Sequence, residues 1–158
     1  MFKPFLTNRD NLENARAAPG MLLHFLAKKE DTNGAFALIE ARARQGMEPG
    51  PHAHSHEDES FYLLNGRMWF KIGEEEFEAN PGDFVFMPRG VVHQMKLLTE
   101  TIHVLIVIAP AGFEHYFWQL SQPAESMDIP PLSSEPPTPE MMEMVAKLNE
   151  TYGLSSGV

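Results

Sequence analysis

Between Met21 and Ala109 the apolar residues fall in short runs, each closed by residues with turn chemistry. The runs predict strands at Leu22–Ala27, Phe36–Arg44, Glu59–Leu64, Arg67–Ile72, Phe77–Glu78, Phe84–Met87, His93–Leu97 and Ile102–Ile108. Asn33-Gly34, Asn65-Gly66, Gly73-Glu74, Pro81-Gly82 and Pro88-Arg89-Gly90 separate them. Many short strands without helices between them predict a closed sandwich or barrel. The run Val104 to Ile108 is apolar at every position, which predicts a strand covered on both sides.

After this region the pattern changes to helical spacing. Phe113, Phe117 and Leu120 share one face of a short helix. Thr138 as N-cap, Pro139 at the first helical position and Gly153 past the end frame a second, with Met141, Met144, Val145 and Leu148 on its apolar side. That face is expected to pack in a core or a dimer. The stretch from Gln122 to Pro139 is rich in proline and is expected to be an extended surface strap. The organisation predicted is an N-terminal arm over residues 1–20, a barrel over 21–111, and helices with the strap over 112–158.

Asp and Glu number 22 against 12 Lys and Arg, for a net charge of −10. Binding to nucleic acid or an anionic membrane needs a basic patch, and Arg42 and Arg44 at alternate positions read as a solvated strand face. The longest apolar stretch falls far short of the ~20 residues of a membrane helix. There is no cysteine, which excludes disulfides, thiolate ligands and a cysteine nucleophile. A cytoplasmic protein with a small-molecule partner is expected.

Three of the seven histidines fall in His52-Ala53-His54-Ser55-His56, followed by Glu57-Asp58-Glu59. In an extended segment His52 and His54 point the same way and can grip one ion. A two-residue hairpin at Asn65-Gly66 would pair Leu64 with Arg67, and so set Glu59 opposite Ile72, Phe61 opposite Phe70 and Leu63 opposite Met68. These six then share one face, five of them apolar, with Glu59 projecting into the interior. A buried anion without a partner costs several kcal/mol, roughly. No Lys or Arg shares that face, so a metal ion held with the histidines is the simplest compensation. Glu57 and Asp58 are expected in a solvated loop.

Residues Gly46 to Gly66 resemble the first cupin motif, Gly-x5-His-x-His-x4-Glu-x6-Gly, with every spacing kept. Residues Gly82 to Leu97 resemble the second, supplying Gly82, Pro88, Gly90 and His93 but ending in Leu97 where the family usually has Asn. The resemblance implies an all-β double-stranded β-helix, a jelly-roll barrel, whose metal ligands are His52, His54, Glu59 and His93. His56 does not keep the spacing and is expected beside the site. Three imidazoles and a carboxylate suit one divalent ion of iron, nickel, manganese, cobalt, copper or zinc. The segments Glu57 to Gly66, Pro81 to Gly90 and Pro110 to Glu114 also resemble single-domain cupins similar to quercetin 2,3-dioxygenase.

That narrower resemblance implies a dioxygenase acting on a small enolisable or phenolic, flavonol-like compound, with Glu59 as ligand and base. Phe61, Leu63, Met68, Phe70 and Ile72 favour a largely apolar or aromatic substrate. The alternatives are a metal-assisted isomerase, hydrolase or decarboxylase, and a non-catalytic small-ligand-binding protein. A symmetric homodimer is expected, because strand edges and the Met-rich helix need cover.

Overall fold

A computed structural model describes residues 3–157. The strands follow the alternation of inward apolar and outward polar positions. They are β1 (Ala15–Ala18), β2 (Met21–Ala27), β3 (Ala37–Arg44), β4 (His52–His54), β5 (Asp58–Asn65), β6 (Met68–Ile72), β7 (Glu75–Ala79), β8 (Phe84–Met87), β9 (His93–Leu97), β10 (Thr101–Ala109), β11 (Gln122–Pro123) and β12 (Leu154–Ser156). The helices are α1 (Lys29–Thr32), α2 (Glu114–Gln119) and α3 (Pro139–Thr151).

Two antiparallel sheets face one another, in the orders β11-β1-β2-β3-β10-β5-β8 and β12-β4-β9-β6-β7. This is the all-β jelly-roll architecture that the strand pattern and the resemblance imply. Leu23, Phe25, Ile39, Phe61, Leu63, Val104, Ile106 and Ile108 line the inner face of the seven-stranded sheet. Met68, Phe70, Met95 and Leu97 meet them from the five-stranded sheet. Strands β1, β11 and β12, from outside residues 21–111, extend both sheets.

Asn65-Gly66 does not make a hairpin between β5 and β6. Strand β5 pairs with β10 and β8, whereas β6 pairs with β7 and β9 in the opposite sheet. The turn carries the chain from one sheet to the other. Gly66 has φ of +84°, and a Cβ there would stand 2.6 Å from the Thr101 carbonyl oxygen. Phe61 and Phe70 do meet, with ring centroids 5.9 Å apart, but across the interior rather than along one sheet.

Strand β10 buries Ile102, Val104, Ile106 and Ile108, while Leu105 and Val107 on its outer side are only half-buried. Beside them Tyr62, Phe84 and Phe86 are exposed on β5 and the edge strand β8. The strap runs over the outer face at the other end of this sheet. Arg42 donates to the Met127 carbonyl, and Arg44 to those of Ile129 and Pro130, so neither arginine marks a bare solvated face. Helix α3 begins as its sequence predicts, with the Thr138 hydroxyl accepting from Met141 N. Its methionine face stays open. Leu148 is buried, but Met141, Met142 and Met144 are exposed. No helix among the described residues is long and apolar enough to cross a membrane.

Candidate metal centre

Three elements from two sheets bring His52, His54, Glu59 and His93 to one point. Strand β4 is extended, so His52 and His54 project from the same side. Its neighbour β9 opens with His93, paired directly with His52. Glu59 comes from the opposite sheet, flanked on its inner face by Ile108 and Met87. All four side chains are buried, and one potential ligand atom from each lies within 4.8 Å of the other three. Donors on opposite sides of an ion with ~2.1 Å bonds stand about 4.2 Å apart, so a small contraction closes the set.

The ring nitrogens are already assigned for ligation. His52 Nδ1 lies 2.9 Å from the Gly50 carbonyl oxygen and His93 Nδ1 3.1 Å from that of Val91. A carbonyl can only accept, so each Nδ1 carries the proton and each Nε2 keeps a lone pair for the interior. His54 Nε2 and His93 Nε2 are buried without hydrogen-bond partners, 3.6 and 3.7 Å from Glu59 Oε2. Two orphaned imidazole nitrogens in a set of three histidines and one carboxylate fit a divalent transition metal.

Electrostatics point the same way. Burial pushes the His93 imidazole down to about 4, and it also lowers His52. Burial acts to raise Glu59, but His54, with His93 and His52, outweighs it and holds the carboxyl below its ordinary range. Near neutral pH His52 and His93 are therefore neutral imidazoles beside one buried carboxylate. Among the described residues, no Lys or Arg lines the adjoining cavity to balance that charge.

The metal-free protein should accordingly lose stability as pH falls. Histidines in the unfolded chain take protons near pH 6.5, whereas folded His93 resists until about 4. Between those values the unfolded state binds more protons, so acid favours unfolding, and the depressed Glu59 adds to the trend. Urea midpoints measured from pH 7 to 4 in the presence of chelator should fall steadily. A flat profile would contradict the assignment.

The site opens into a cavity of about 130 Å³ between the sheets. Phe61 and Met68 line it, as expected, together with Met21, Met47 and Met95. Leu63 and Phe70 instead belong to the surrounding core. Leu97 packs inward among the lining residues where the motif has Asn, and its backbone N–H donates to Glu48 Oε1 at 2.7 Å. Aromatic residues after the barrel close the far side. The Phe113 ring packs edge-on against His54 at 4.3 Å and in turn contacts Tyr116, Phe117 and Tyr152. The helical spacing of Phe113 and Phe117 signals a buried face but not what it covers.

His56 is exposed and stands outside the cluster. Glu57 and Asp58 are not a solvated loop. Glu57 is buried, and Asp58 begins β5 gripped by Arg89, whose Nε and NH2 lie 3.1 and 2.9 Å from its two oxygens. That pair anchors the turn before His93 beside Glu59, and Gly90 N–H donates to the His54 carbonyl at 2.8 Å. It also holds the Asp58 carboxyl down at about 2.

Comparison with known proteins agrees with this architecture. A family model described as "Cupin domain" matches residues 41–109. Quercetin 2,3-dioxygenase of Bacillus subtilis (strain 168) is 31% identical over 119 residues, which are 75% of this chain and 35% of that protein. The chain thus spans about a third of the length of that relative. An uncharacterized protein of Streptomyces coelicolor is 33% identical over 102 residues, 64% of this chain and 91% of that protein. Among solved structures, KdgF from Halomonas sp. superposes with a TM-score of 0.60 at 18% identity, over 72% of this chain and 98% of that one.

Proposed function

We propose that this chain, which belongs to the cupin superfamily, is a mononuclear metal-dependent dioxygenase acting on a small enolisable or phenolic compound. The convergence of three imidazoles and one carboxylate at the end of an apolar cavity carries this reading. His52, His54, Glu59 and His93 hold the ion, which is one of iron, nickel, manganese, cobalt, copper or zinc. Bound there, it supplies Lewis acidity and, where redox-active, reactivity towards dioxygen. The similarity to the quercetin 2,3-dioxygenase of Bacillus subtilis supports oxygen chemistry.

The chain's own residues define the rest. Glu59 accepts the proton that an enol or phenol loses on binding. Phe61, Met68, Met95 and Phe113 exclude water and favour an apolar body. A wall without Lys or Arg offers nothing to hold a second carboxylate, so a neutral substrate is favoured. Size narrows the choice further. A buried cavity of about 150 Å³ accommodates benzene, and the 130 Å³ here suits one ring better than a three-ring flavonol.

The test is oxygen uptake by metal-loaded protein over monocyclic diketones, catechols and flavonols. Uptake should follow consumption of a monocyclic compound, with flavonols turned over poorly. Turnover without oxygen consumption would replace this reading with metal-assisted isomerisation, hydrolysis or decarboxylation. Saturable binding without any turnover would leave a ligand-binding protein.

The reading includes a homodimer. Exposed Tyr62, Phe84 and Phe86 beside half-buried Leu105 and Val107 form an apolar outer face at a sheet edge, which a second copy would cover. Light scattering at micromolar concentration should give twice the chain mass; a monomer would end this part of the proposal.

A further inference from the structure

Strand β4 carries two of the four candidate ligands yet is only three residues long. On one side it joins β9 through a single register pair, His52 with His93, reinforced by the Gly90 donation to the His54 carbonyl. On the other side it has a full ladder. Leu154 pairs with His54, Ser155 with Ala53 and Ser156 with His52. Ser55 N donates to the Gly153 carbonyl at 3.0 Å and Gly157 N to that of Pro51 at 2.8 Å, extending the ladder at both ends. Ser55 Oγ donates to the same Gly153 carbonyl at 2.6 Å.

The turn from α3 into β12 is built for this approach. Gly153 has φ of +66°, and a Cβ on it would lie 3.0 Å from Ser55 Cβ and 3.2 Å from His56 Cδ2. Leu154, opposite His54, reaches the cavity wall. The three imidazoles also differ in how they are held. His52 and His93 are each oriented by a hydrogen bond from Nδ1, whereas neither nitrogen of His54 has a hydrogen-bond partner among the described residues. The position of His54 therefore depends on its strand backbone and on the Phe113 ring packed against it.

We infer that β12 is the positioning element of this site: its ladder to β4 fixes His54, and with it the affinity for the ion. This rests on the metal-binding reading above. Antiparallel ladders alternate bonded and non-bonded pairs. The bonds at Ser55–Gly153 and Pro51–Gly157 make Ser155–Ala53 a bonded pair and Ser156–His52 a non-bonded one. The Ser155 N–H thus points at β4 and that of Ser156 points away.

Proline substitution separates the two. Ser155→Pro removes a ladder donor, whereas Ser156→Pro removes none. With Co²⁺ as probe, measured by absorbance in competition with a chelator, Ser155→Pro should weaken binding about 10–100-fold, the usual effect of losing a ligand's support. Ser156→Pro should bind like the unaltered chain, and thermal melting would show both variants folded. Equal affinity for Ser155→Pro and the unaltered chain, or equal loss in both variants, overturns the inference.

Should Ser155→Pro fail to fold, hydrogen exchange on the unaltered chain decides. Coupling is reciprocal, so Co²⁺ must slow exchange at the Ser155 and Gly157 amides, which point at β4, more than at β7, the opposite edge of the same sheet. No selective slowing overturns the inference. An unaltered chain that binds no Co²⁺ overturns the metal reading itself, and the inference with it.

Discussion

Glu59→Gln is expected to keep much of the metal and to lose turnover by roughly 10²–10⁴, the usual range for removing a general acid–base group. Three imidazoles remain in the variant, and the amide oxygen is a weak ligand in the same place. What it lacks is the capacity to accept a proton. His93→Ala should instead lose metal and activity together, since His93 links the β4 pair to the rest of the site and alanine offers no donor. Metal content must be measured beside rate for each variant. Full metal with full turnover in Glu59→Gln would make Glu59 a spectator and the proposed chemistry wrong. Loss of metal in both would support the site and leave the base unassigned.

Phe113→Ala should give the largest loss of stability. Its ring is 2% exposed and contacts His54, Tyr116, Phe117 and Tyr152, so truncation leaves a void between α2 and the metal site. Removing a buried Phe costs about 3–5 kcal/mol. Urea unfolding of the metal-free proteins measures this directly. The same void joins the existing cavity, so the variant should accept larger aromatic ligands than the unaltered chain. A loss of about 0.5 kcal/mol or less, the range of surface substitutions, would show that Phe113 is not a closing element.

The sequence carries most of this picture, and its failures have identifiable causes. Alternation placed the eight central strands to within a few residues, because an inward face must be apolar at every second position. It also put Glu59 inside for an incomplete reason. Parity along β5 is enough to turn Glu59, Phe61 and Leu63 the same way, whichever strands lie alongside. The choice between hairpin and sheet crossing at Asn65-Gly66 depends on β10 and β8, which are distant in the chain, and the turn residues alone serve both.

Other features left weaker traces. Leu154-Ser155-Ser156 is too short and polar for a strand pattern, so the neighbour of the His52–His54 strand is invisible until the chain is folded. Arg42 and Arg44 look like an open face because their acceptors are backbone carbonyls of the strap, which any sequence supplies. The burial of Glu57 has no counterpart in local polarity.

Glu59 belongs to the seven-stranded sheet, whereas the three histidines belong to the five-stranded one. An ion shared by the four is therefore a cross-link between the two halves of the sandwich, in a chain that has no cysteine to make one. It would tie together residues far apart in sequence in the folded chain and brace the sheets against sliding. The barrel would then shed its ion and loosen its two walls as one cooperative event, so that a chelator acts on this protein as a reductant acts on a disulfide-bonded one.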